Sequence, residues 1–134
     1  MQHLQHRPAR RRRRDERGSG GVQFLITFVA IFFLFTSLVQ YGIRMHANRM
    51  AEAAAREAAV STARFDGTTE SGRATADDYL STTGAIAITG STVNVTRSTT
   101  EARVSVTVKI VPLAPWLADP ITSVATAPVE RFVP

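Results

Sequence analysis

The chain has 134 residues, 44% of them hydrophobic, with 16 Lys+Arg against 11 Asp+Glu and no Cys. It is too short for two ordinary domains, and without Cys it has neither a disulfide framework nor a thiolate metal site. Seven arginines (Arg7, Arg10, Arg11, Arg12, Arg13, Arg14, Arg17) and two acids (Asp15, Glu16) fall within residues 1–21, which alone account for the formal net charge of +5. Residues 22–134 balance to zero, so the basic character belongs to a short tail. A globular nucleic-acid-binding domain would carry that charge on its fold, which argues against nucleic acid as a partner. The rival reading of the tail, a nucleic-acid arm, is the rarer use of a basic block beside an apolar run.

Residues 22–43, VQFLITFVAIFFLFTSLVQYGI, contain no charged residue. A helix of that length spans roughly 33 Å, enough for a hydrocarbon core of about 30 Å. The rest of the chain is too small to surround such a helix as a core, so the run reads as a transmembrane helix. It is longer than the apolar region of a secretory signal, about 7–15 residues, and the flank Arg44, His46, Asn48, Arg49 offers no small-x-small cleavage site. Orientation follows from the arginines. Arg10, Arg11, Arg12, Arg13 and Arg14 dominate the near flank and only Arg44 and Arg49 stand on the far one, so residues 1–21 form a cytoplasmic leader. The expected location is the cytoplasmic membrane, single-pass, with the N-terminus inside and residues 44–134 outside.

Residues 44–65 hold no Gly and no Pro, and the helix is expected to continue through them as an amphipathic extension. Ala47, Met50, Ala51, Ala54, Ala58, Ser61 and Phe65 share a stripe about 100° wide, with Arg49, Glu52, Arg56, Glu57 and Arg64 off it. Small residues permit close approach. Two covers fit the stripe equally well: the chain's own outer domain, or a helix of another subunit. Asp66-Gly67 ends the helix, and the polar residues 66–73 read as a loop.

Residues 66–134 read as a small α+β domain. Thr75 is placed as the cap of a short helix through Asp77, Asp78, Tyr79 and Leu80, closed by Gly84. Ala102, Val104, Val106, Val108 and Ile110 alternate with Arg103, Ser105, Thr107 and Lys109, the pattern of a strand with one buried face. Residues 93–97 alternate as well, with Ser98 to Glu101 as a hairpin connection. Ile86 and Ile88 have the opposite parity to Val93 and Val95, which points to a bulge or break at Gly90. Pro112, Pro115 and Pro120 mark a loop holding the single Trp, Trp116, either a packed loop aromatic or an interface anchor. A last, weaker strand covers 121–127. The fold class is therefore α+β: a single-pass helix continuing into an amphipathic helix, then a small antiparallel sheet.

Little in the chain suggests chemistry. His3, His6 and His46 lack metal-ligand spacing, no Ser or Thr sits in a nucleophile elbow, and no phosphate-binding glycine motif occurs. A non-enzyme is expected, with no cofactor and no small-molecule substrate.

The junction Gly18, Ser19, Gly20, Gly21, Val22, Gln23, Phe24 lies between the basic block and the span. There the sequence resembles the TadE-like family of the tight-adherence (Flp) pilus system, and the likeness extends through the Ala-rich helix, the acidic short helix at 77–80, the Val strand at 104–110 and the closing PVERF. The resemblance implies a pilin-like or pseudopilin-like fold. It also implies a leader of residues 1–18, cut between Gly18 and Ser19 by a prepilin peptidase, and other pilus subunits as partners. Phe24 takes the family's aromatic position, and Gln23 stands where the family usually has Glu. A Glu there can neutralise the new N-terminal amine of a neighbouring subunit, whereas Gln accepts a hydrogen bond without cancelling charge. An uncleaved, membrane-retained accessory subunit fits Gln23 at least as well as a cleaved one. Two functions follow: a minor pilin or pseudopilin-like assembly subunit, or a single-pass anchored binding or sensor module. The second usually has a flexible juxtamembrane linker, and none separates residues 43 and 44.

Overall fold

The structure, a computed structural model, describes residues 16–84 and 87–131. The Arg10–Arg14 block, Ile86 and the Phe132 of the closing motif lie outside the described residues. The chain divides into two compact units, one ending at Thr36 and one beginning at Ser37. The fold class is α+β, with one long apolar helix and one small antiparallel sheet.

Helix α1 runs Glu16–Ala63. It starts before the apolar run and takes in Gly18, Gly20 and Gly21, each about 1 kcal/mol poorer than Ala in a helix interior. Its end is fixed by where its last carbonyls find donors, since these lack partners within the helix. The Ala63 carbonyl accepts from the Glu130 N–H at 2.8 Å, and the Arg64 carbonyl from the Gly67 N–H at 2.9 Å and the Arg97 guanidinium at 3.1 Å. Gly67 is required by close approach, because a Cβ there would overlap the carbonyl oxygens of Ser61 and Thr62.

Helix α2, Thr69–Thr83, begins within the segment that reads as a loop. The cap is Thr68 rather than Thr75. The Thr68 hydroxyl accepts from the Ser71 N–H, and the Ser71 hydroxyl accepts from the Thr68 N–H, both at 3.0 Å. This is a capping box with Ser in place of the usual Glu or Gln. Gly72, within the segment that reads as a loop, is a helical contact residue: a Cβ there would overlap Thr62 Oγ1 and approach the Ala58 carbonyl. Thr75 instead turns its hydroxyl to the Ser71 carbonyl at 2.8 Å. Gly84 closes the helix, donating to the Leu80 carbonyl at 2.8 Å.

Three strands follow, β1 (Ile88–Arg97), β2 (Glu101–Ile110) and β3 (Ile121–Pro128), in the order β1-β2-β3. Both pairs are antiparallel, with Val93 opposite Val106 and Val104 opposite Ala125. The register shifts between Ile88 and Gly90 within β1, so of the bulge or break that the parity change allows the strand has the bulge. Ser98 closes the hairpin, its N–H donating to the Glu101 carbonyl at 2.8 Å. The central strand buries Ala102, Val104, Val106, Val108 and Ile110, every second residue. Of these, Val104, Val106, Val108 and Ile110 form one core with Ala47, Ala51, Ala54, Ala55, Ala58 and Ala59 of α1 and with Ala76 and Leu80 of α2.

Candidate functional site

The two units present different surfaces. In the first unit, every described side chain from Gly18 to Phe35 is exposed. Between Val22 and Val39 thirteen large apolar side chains are exposed, among them Phe24 at 73% and Leu34 at 71%. Leaving such groups in water rather than hydrocarbon costs about 1–2 kcal/mol each. Thirteen of them cost about 13–26 kcal/mol, as much as or more than the whole stability of an ordinary domain, about 5–15 kcal/mol. The helix satisfies its own backbone hydrogen bonds, the condition for residence in lipid, and it is long and apolar enough to cross a membrane.

The junction residues Gly18, Ser19 and Gln23 lie on one face of α1 together with Val22, Ile26 and Thr27. Phe24 stacks on Phe28, one turn on, with ring centroids 6.5 Å apart. The Gly18–Ser19 peptide bond lies in the first turn of α1, so a peptidase acting there meets helical backbone. The run Gly18, Ser19, Gly20, Gly21 is the part of α1 with the lowest intrinsic cost of unwinding.

In the second unit, Ala47, Ala51, Ala54 and Ala58 are each at 0% exposure, and the chain's own sheet and α2 cover them. Phe65 corrects the expectation placed on it. It belongs to the stripe only if the helix continues, but α1 stops at Ala63 and Phe65 sits in the following turn at 70% exposure. The buried face also widens to take in Ala55, Ala59, Thr62 and Ala63. Two elements cover the helix here, the sheet on one flank and α2 on the other. A stripe drawn for a single partner misses the second, because nothing in the sequence spacing marks Gly72 and Thr75 as the residues that meet Thr62 and Ser61. Opposite this face, Arg56 is paired with Glu52 in the i,i+4 ion pair expected on the exposed side.

Sequence reasoning missed Gln40 as a structural residue. It lies within the uncharged run, yet it is only 4% exposed, and its Oε1 accepts from the Leu113 N–H at 2.9 Å. Four residues on, the Arg44 guanidinium donates to the Asp119 carbonyl at 3.2 Å. Among the described residues no group of three or more His, Asp or Glu is placed to hold a metal ion.

The sequence model of the TadE-like proteins matches residues 18–60. The matched stretch covers most of α1, including the junction and the alanine face, and none of the sheet. No curated protein matches the chain, and no solved structure does.

Proposed function

We propose that this chain is a non-enzymatic, membrane-anchored subunit of pilin-like or pseudopilin-like form that serves assembly of a Tad/Flp-type pilus or secretion apparatus. The TadE-like match suggests a Tad pilus-associated protein, and the apolar helix suggests membrane anchoring. The observation that carries the reading is the change of surface along α1. The same helix exposes Phe, Leu and Ile up to Val39, then buries Ala against a small sheet from Ala47 on, with no break between. A subunit handled by its helix needs this direct coupling, whereas a tethered sensor does not.

In the same reading the arginine-rich leader lies in the cytoplasm and the sheet domain outside. The partners are neighbouring Tad/Flp subunits and a prepilin peptidase that cuts between Gly18 and Ser19. The experiment is deletion of the gene in its bacterial host, with surface pili counted by electron microscopy. Loss of pili, restored by the full chain but not by its sheet domain on an unrelated membrane anchor, supports the assembly role. Undiminished pili in the deletion strain sink it. Mass spectrometry of the N-terminal peptide from the membranes addresses processing separately, because a mature start at Ser19 marks a cleaved subunit and an intact leader an anchored accessory one.

A further inference from the structure

We infer that the loop Val111–Ala118 is a second membrane contact, inserting Leu113 and Trp116 into the headgroup boundary of the phospholipid bilayer that α1 crosses. The inference rests on the membrane reading of α1. The loop, VPLAPWLA, holds no charged residue, and it exposes Val111 (43%), Leu113 (46%) and Trp116 (70%). A short loop with three large apolar side chains turned outward marks an interaction surface rather than a surface made for water.

What covers the loop follows from where it is tied. Its Leu113 N–H bonds Gln40, which lies inside the uncharged run, and the Asp119 carbonyl at its end bonds Arg44, the first charged residue after that run. The loop is thus fastened to α1 where hydrocarbon must give way to headgroups. Leu38 and Tyr41 are also exposed on the helix at this level (67% and 61%). Trp and Tyr are favoured at that depth because an apolar ring with a polar edge suits the boundary. Arg44, with its apolar stem and charged head, suits it too. The loop takes up the carbonyl oxygen of the buried Gln40, whereas its amide nitrogen has no hydrogen-bond partner among the described residues.

Trp116 is the only Trp, so it reports on itself. The full chain is reconstituted in phosphatidylcholine/phosphatidylglycerol vesicles with and without lipids brominated near the headgroup end of the acyl chain. The expected result is blue-shifted emission that is largely lost with the brominated lipid and resists aqueous acrylamide. Red emission quenched by acrylamide and untouched by bromine overturns the inference. Emission shielded from both quenchers also overturns it, and assigns the loop to a protein partner. A second probe, Phe28→Trp in a Trp116→Phe background, reports on the span with lipids brominated deep in the chain. If the span probe is quenched and Trp116 is not, the loop inference alone fails. If neither is quenched, the membrane reading fails with it.

Discussion

Helix α1 uses apolar residues in two opposite ways. From Val22 to Val39 its largest side chains are exposed, whereas from Ala47 to Ala63 every alanine but the half-buried Ala53 is buried completely or nearly so. Residue size separates the two lengths. Phe, Leu and Ile gain from a medium that flows around them and demands no fixed shape. Ala gains little area by burial, but it brings the helix axis close to a sheet whose facing residues, Val104, Val106 and Val108, are themselves compact and fully buried. Exposure of an apolar residue therefore carries opposite meanings along one helix, and substitutions of the same kind should have opposite consequences at the two places.

The largest expected effect tests that contrast directly. Phe32 and Val60 are both about half exposed. Phe32→Asp should lower membrane insertion by about 3 kcal/mol, the order of cost for Asp at mid-span. Val60→Asp should change stability by less than about 0.5 kcal/mol, as at an ordinary surface site. Carbonate extraction of membranes measures the first and urea unfolding in detergent the second. Equal tolerance of the two would mean that both surfaces meet water, and the contrast would collapse.

Overpacking probes the buried half. Ala54→Leu and Ala58→Leu should each lose about 1–3 kcal/mol in urea unfolding of the detergent-solubilised chain. Arg56→Ala, on the exposed side, breaks only a surface ion pair and should stay within about 0.5 kcal/mol. If all three unfold alike, the alanine face is not the packed one.

A smaller effect sharpens the account of the second cover. Gly72→Ala improves helix propensity by about 1 kcal/mol, yet it should destabilise, because its Cβ meets the hydroxyl that Thr62 donates to the Ala58 carbonyl. In a Thr62→Ala background the penalty should shrink, leaving only the tighter approach to the Ala58 carbonyl. A penalty unchanged by that background would place the strain elsewhere. Smaller again, Thr68→Ala should cost about 1 kcal/mol by removing the capping hydroxyl, read as a lower urea midpoint. No shift would mean that Ser71 caps alone.

Strong periodicity made several elements legible in the sequence. The alternation from Ala102 to Ile110 pointed to the central strand and its buried face, and the parity change around Gly90 to a bulge or a break, of which the structure has the register shift within one strand. Where a residue answers to a partner distant in the chain, reading failed. Gly72 lies in a segment that reads as a loop until Thr62 is seen beside it. The box at Thr68 and Ser71 lacks the acidic or amide residue by which such caps are recognised. Phe65 fits a helical wheel, but a wheel holds no information about where the helix ends.

By itself the sequence determined the apolar run, the neutral outer part, the strand alternation and the junction that resembles the TadE-like family. These are local, because each rests on the kind and spacing of residues within a few turns of chain. Only the tertiary structure decided that the chain's own sheet and α2 cover the alanine face. It likewise decided that α1 stops at Ala63, where the backbone of Glu130 and the side chain of Arg97 supply donors to its end, and that Gln40 belongs to the folded unit although it lies in the uncharged run. Burial and capping are properties of what comes to lie alongside a residue, and residues dozens of positions away supply that neighbour once the chain has closed.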